Sequence, residues 1–153
     1  MTPYRVFYAH PKDAADAALT ANAALLLTAL SAIIGDARTV EVTTGFADWQ
    51  KHFRRCGSWE NWTRDVAVGK SYGSTEPRYH AIVLGVTPGE VDGWVVGSAT
   101  QRIADLAQGA KKPVLMLTPT KKGDAPVLYR VLAVEHIPGA PYNESGRVIP
   151  LGG

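Results

Sequence analysis

Residues Tyr79-His80-Ala81-Ile82-Val83-Leu84-Gly85-Val86 decide the fold. The run is short, rich in aliphatic residues and without alternation, so it reads as a strand buried on both faces. Thr87-Pro88-Gly89-Glu90-Val91-Asp92-Gly93 breaks it as a loop. From Ser98 to Gly109 the period changes to that of a helix, with Ile103, Leu106, Ala107 and Ala110 on its inner side. Lys112-Pro113 then leads into a second apolar run, Val114-Leu115-Met116-Leu117. Strand, helix and strand in that order form the unit from which parallel sheets are built.

The same alternation extends outward in both directions. Tyr4-Arg5-Val6-Phe7-Tyr8-Ala9 predicts the first strand, ended by His10-Pro11-Lys12-Asp13. Asp13 is placed to cap a helix running to about Ile34, and Gly35 to end it. Leu19, Ala23, Leu26, Leu27, Leu30, Ile33 and Ile34 give that helix a broad apolar face. No charge occurs from Ala17 to Ile34, which raises a membrane span. Thr20, Asn22, Thr28 and Ser31 dilute the stretch, and Asp13 and Asp16 precede it where a signal peptide carries positive charge. A helix packed on a sheet accounts for the same residues. Arg38 to Thr43 predicts the second strand and Val127 to Ile137 a fifth.

These elements predict a single α/β domain over residues 1–137, a three-layer sandwich on a mostly parallel sheet of about five strands. Residues from about 45 to 77 form a tryptophan-rich insert, with short helices at Asp48 to Arg55 and from Ser58 or Glu60 to Val68. Gly69 to Pro77 reads as a mobile loop. Residues 138–153 read as an extended C-terminal tail.

The chain of 153 residues suits one core, and 46% hydrophobic with 20% charged residues is a globular balance rather than a disordered one. A net charge of +2 is too small to demand a membrane or nucleic-acid partner. With one cysteine, Cys56, no intrachain disulfide forms, which fits a cytoplasmic protein. No metal-ligand cluster, Walker A loop, Gly-rich dinucleotide fingerprint or Ser-His-Asp order is present, so no metal or cofactor is expected.

In doubly wound sheets, ligands bind beyond the carboxyl ends of the strands. That rule selects His10 to Asp13, Thr43 to Trp49, Val86 to Thr100 and Thr118 to Lys122. His10 has the chemistry to contact a sugar or phosphate. Gly97, Ser98 and Thr100 open a helix where small residues allow close approach and the helix end favours an anion. Trp49 or Trp59 could stack on a base, or could pack with Phe53 and Trp62 as a satellite core. The three-residue spacing of Trp59 and Trp62 favours packing. Arg54, Arg55 and Arg64 interleave with the aromatics, but Asp48, Glu60 and Asp65 dilute the positive field that a nucleic-acid groove needs. Glu90 and Asp92 share one loop and form a candidate carboxylate pair.

Val6-Phe7-Tyr8-Ala9-His10-Pro11 resembles the opening strand and turn of the nucleoside 2-deoxyribosyltransferase-like group. Ala81-Ile82-Val83-Leu84, the Gly97–Ala107 segment and Lys112-Pro113-Val114-Leu115 resemble its second signature. The resemblance implies a flavodoxin-like, Rossmann-like fold, a small-molecule nucleoside or nucleotide as ligand, and a homo-oligomer. Members exchange the N-glycosidic bond of nucleosides through a glutamate early in the second-signature helix. That position falls at Gln101 or Arg102, and an amide cannot form the glycosyl ester that a carboxylate does. Glu90 is the carboxylate that would stand in for it. Whether the chain is an N-glycosidase-like enzyme or only a binding domain is left open. The same first strand, with Lys12-Asp13, also resembles the Toll/interleukin receptor domain, whose enzymatic members cleave NAD. A third reading is a protein-interaction module that uses the tryptophan-rich insert.

Overall fold

The computed structural model describes residues 3–10, 16–34, 39–73, 76–85, 87–88, 94–95, 98–119, 126–131, 141–142 and 148–150. In chain order the elements are β1 (Tyr4–Ala9), α1 (Asp16–Ile34), β2 (Val40–Thr44), α2 (Gly45–Cys56), α3 (Trp59–Val68), β3 (Ala81–Gly85), β4 (Thr87–Pro88), β5 (Trp94–Val95), α4 (Ser98–Gly109), β6 (Val114–Pro119), β7 (Pro126–Val131), β8 (Pro141–Tyr142) and β9 (Val148–Pro150). The main sheet runs β2-β1-β3-β6-β7-β9. Its first four strands are parallel, and β7 and β9 add antiparallel at one edge. The α/β expectation holds, with a correction to the strand count. The main sheet has six strands rather than about five, because the tail supplies β9. The expected loop after β3 also contributes β4 to a small second sheet, ordered β4-β5-β8.

Alternation along the central strands sorts their side chains into two cores. Val6, Tyr8, Ala81, Val83, Leu115 and Leu117 pack with Leu26 and Leu30 of α1. Phe7, Ala9, Ile82, Leu84, Val114 and Met116 face the other way, onto Trp62 and Val66 of α3 and Ile103 and Ala107 of α4. Helices therefore cover both faces of the sheet, α1 on one and α2, α3 and α4 on the other. Leu27 departs from the expected inner face of α1: it is 43% exposed. Among the described residues no helix is long and apolar enough to cross a membrane.

Pairing of β1 with β3 continues past the end of β3 through a side chain. The Arg5 amide donates to His80 Nδ1 at 3.0 Å, and the His80 amide donates to the Arg5 carbonyl at 2.7 Å. The His80 ring also stacks on Tyr4, with centroids 5.3 Å apart.

Residues 45–77, read as an insert, supply the crossover from β2 to β3. Here α2 begins at Gly45, directly after β2 and earlier than the expected Asp48, because Thr44 caps it by accepting from the Ala47 amide at 3.3 Å. Ser58 caps α3 in the same way, accepting from the Asn61 amide at 3.2 Å. Gly57 and Gly69 close the two helices in the left-handed region, with φ of 80° and 72°.

Candidate functional site

The chain leaves β1 for β2 on one side and returns across it to β3 on the other. The switch point therefore lies beyond the carboxyl ends of β1 and β3, where doubly wound sheets open a crevice. His10 follows β1 directly. Its Nε2 accepts the Phe46 amide at 3.1 Å, so it satisfies one of the unpaired donors at the start of α2. Accepting there puts the hydrogen of the neutral ring on Nδ1. Gly45 packs closely on β1: a Cβ there would sit 3.3 Å from Phe7 Cζ, tighter than usual, and at ordinary contact distance, 3.6 Å, from His10 Nε2. Phe46, the next residue, is 54% exposed beside His10.

Beneath the switch point, Tyr8 of β1 and Gly85 of β3 pack against each other. The Tyr8 ring is buried, and its hydroxyl accepts from Asn22 Nδ2 at 3.1 Å. Burial raises the Tyr8 pKa and the Asn22 bond partly offsets the rise. A Cβ at Gly85 would stand 2.8 Å from Tyr8 Cε1 and 2.9 Å from its oxygen, so the end of β3 must be glycine for the ring to cross it.

The second-signature residues enter by topology. The connection from α4 to β6 is short, and the Lys112 amide donates to the Ala107 carbonyl at 2.9 Å. The end of α4 is thus at the amino end of β6, and its start, with Ser98, is at the carboxyl end of the sheet, the end that holds His10. Thr100 in that first turn is buried. Gln101 belongs to the same turn. Asp13, Glu90 and Gly97 lie outside the described residues.

The tryptophans are divided between packing and surface. Trp62 is buried, edge-on to Phe7 at 5.9 Å. Half-buried Trp49 has the rings of Phe53, Trp59 and Trp62 at 5.3, 5.4 and 5.3 Å. Trp59 leans on Trp62 at 4.9 Å but remains 49% exposed.

Beneath the tryptophans is a polar cluster that sequence reasoning missed. Asp48 was expected to be a surface charge, and its side chain is 1% exposed. One carboxylate oxygen accepts from Trp62 Nε1 at 2.8 Å, and the other accepts from the Tyr79 hydroxyl. The Arg78 guanidinium lies 3.5 Å from it and over the rings of Tyr72 and Tyr79 at 5.0 and 5.5 Å. Burial raises the Tyr79 pKa, and the Asp48 charge and hydrogen bond raise it further. Burial lowers the His52 pKa, an effect that Asp48 opposes and Arg78 reinforces. Close by, the Tyr72 hydroxyl donates to Asp65 Oδ2 at 2.6 Å. Cys56 Sγ lies 3.0 Å from the same hydroxyl and donates to Asp65 Oδ2 at 3.9 Å, so thiol and phenol share one carboxylate. Tyr72 and Arg78 belong to or border the stretch that composition reads as a mobile loop. The signal for this cluster was faint: an aspartate at one-turn spacing from His52, inside an aromatic segment.

Among the described residues no group of three or more His, Cys, Asp or Glu side chains could hold a metal ion. No protein-family model, curated protein or solved structure matches this chain.

Proposed function

We propose that this chain is a nucleoside- or nucleotide-binding domain of deoxyribosyltransferase-like architecture, with its ligand in the crevice beyond β1 and β3. The observation that carries the reading is His10 at the switch point, held against the start of α2 beside an exposed aromatic ring, Phe46. His10 contacts the sugar or phosphate. Phe46 is better situated than half-buried Trp49 to stack on a base, and Trp59 belongs to the separate surface of α2 and α3. The start of α4 at Ser98 would stand on the sugar side, with buried Thr100 in the same turn.

If the domain is also an enzyme, Glu90 is the carboxylate that acts on the N-glycosidic bond, and Gln101 can only position the sugar. A reduced Cys56 and a nucleoside ligand both suit the cytoplasm, and a homo-oligomer would follow the pattern of the family it resembles.

Thermal unfolding against nucleosides, nucleotides, NAD and free bases tests the reading. A ligand at 100 times its dissociation constant stabilises a fold by about 2.7 kcal/mol, which raises the midpoint of a domain this size by roughly 5 to 10 °C. We expect a shift with one of these classes, and its loss in His10→Ala. No shift with any of them would overturn the proposal. A base-release assay on the ligand selected, with Glu90→Gln as control, then separates binding from chemistry.

A further inference from the structure

The surface that α2 and α3 share does not belong to the crevice. Phe53 is 40% exposed and Trp59 49%, and Trp49 joins them at 5.3 and 5.4 Å. Such rings are costly to leave in water unless something covers them. The exposed charges of α2 are all basic. Lys51, Arg54 and Arg55 are exposed on α2, whose single carboxylate, Asp48, is buried. On the α3 side, the exposed Glu60 carboxylate is already engaged by Arg102 at 3.4 Å.

We propose that this face docks an acidic segment of a protein partner, with apolar side chains of that segment seated on Phe53 and Trp59 and a carboxylate on Arg54, whose guanidinium lies 5.9 Å from the Phe53 centroid. Charge complementarity selects the occupant. A second copy of this chain is disfavoured, since a two-fold interface would set the cationic helix against itself. Single-stranded nucleic acid needs free ring faces for its bases. Here Trp59 rests on Trp62 at 4.9 Å, and Phe53 lies between Trp49 and the Arg54 guanidinium, 5.9 Å from its centroid.

The test uses the full chain and two probes: a helical peptide with leucines at i, i+3, i+4 and i+7 among glutamates, and oligo(dT). Titration calorimetry and tryptophan fluorescence report binding. We expect the peptide to bind, and Trp59→Ala and Phe53→Ser each to weaken it about tenfold or more. Arg54→Glu, which leaves the aromatic packing intact, should weaken it as well, and added salt should reproduce part of that loss. Tighter binding of oligo(dT) than of the peptide would overturn the proposal. So would self-association that Trp59→Ala abolishes, failure of the peptide to bind, or peptide binding that Arg54→Glu leaves unchanged.

Discussion

Asp48 holds more of the structure than any other single polar side chain described above. It accepts from Trp62 and Tyr79 and faces Arg78, so one carboxylate ties α2 to α3 and to the approach to β3. Its removal would leave a buried guanidinium without its counter-charge. We expect Asp48→Ala to cost about 3–5 kcal/mol in urea unfolding. Asp48→Asn keeps an acceptor for Trp62 but not the charge, so adding Arg78→Met should recover part of its loss. If Arg78→Met instead adds its own full cost, the pair is not an ionic unit. None of this was legible in the sequence. A carboxylate among basic and aromatic residues reads as solvated, and its burial depends on Tyr79 and Arg78, which arrive from about 30 residues away and leave no local pattern. The position of His10 directly after β1, by contrast, was legible, because the buried strand before it is a strong local signal.

Elements were read best where periodicity was strong. β1, α3 and α4 emerge within a residue or two of their expected bounds, since aliphatic runs and capping serines are local signals. The start of α2 was hidden because Gly45 looks like a breaker, whereas it is the residue that lets the helix close on β1. The tail strands were hidden too, as two- and three-residue strands carry no period of their own. The two closing glycines separate conformational strain from crowding. Gly57 has nothing within 4 Å of a built Cβ, while at Gly69 that atom would lie 2.8 Å from the Tyr79 carbonyl and 2.6 Å from Lys112 Cε. Gly57→Ala should therefore cost only the left-handed strain, about 1–2 kcal/mol. Gly69→Ala should cost about 1–3 kcal/mol more, because the backbone carbonyl cannot move aside as the lysine can. Equal midpoints for the two variants in urea would contradict the crowding at Gly69.

Across the whole molecule, the perturbed groups bound the pH range of stability. Burial lowers the His52 pKa from its ordinary 6.5, so the unfolded chain takes up that proton first. The stability tied to His52 is present above about pH 6.5 and lost as pH falls through the folded value. Burial and the Asp48 and Asp65 carboxylates raise Tyr79 and Tyr72 above 10. Their contribution is full below about pH 10 and lost as pH rises beyond it. Burial lowers Lys112, whose cost at neutral pH is relieved toward its ordinary 10.5 and offsets the tyrosines in part. Urea midpoints measured from pH 5 to 11 should fall at both ends. His52→Gln should flatten the acid limb, and Tyr79→Phe should blunt the alkaline one. An acid limb unchanged in His52→Gln would exclude the imidazole as its source.

The position of β1 also governs how quickly the chain can organise. Its neighbours in the sheet are far along the chain: Tyr4 lies opposite Val40, and Val6 opposite Ala81. The second contact requires a loop spanning half of the 153 residues to close before any of its pairing energy is recovered. Folds dominated by such distant pairings reach the native state in milliseconds to seconds rather than microseconds. Until β3 arrives, β1, α1 and β2 can assemble only as a two-stranded fragment with both edges open, and the long loop closure that brings Ala81 to Val6 comes before the rest of the sheet can pair.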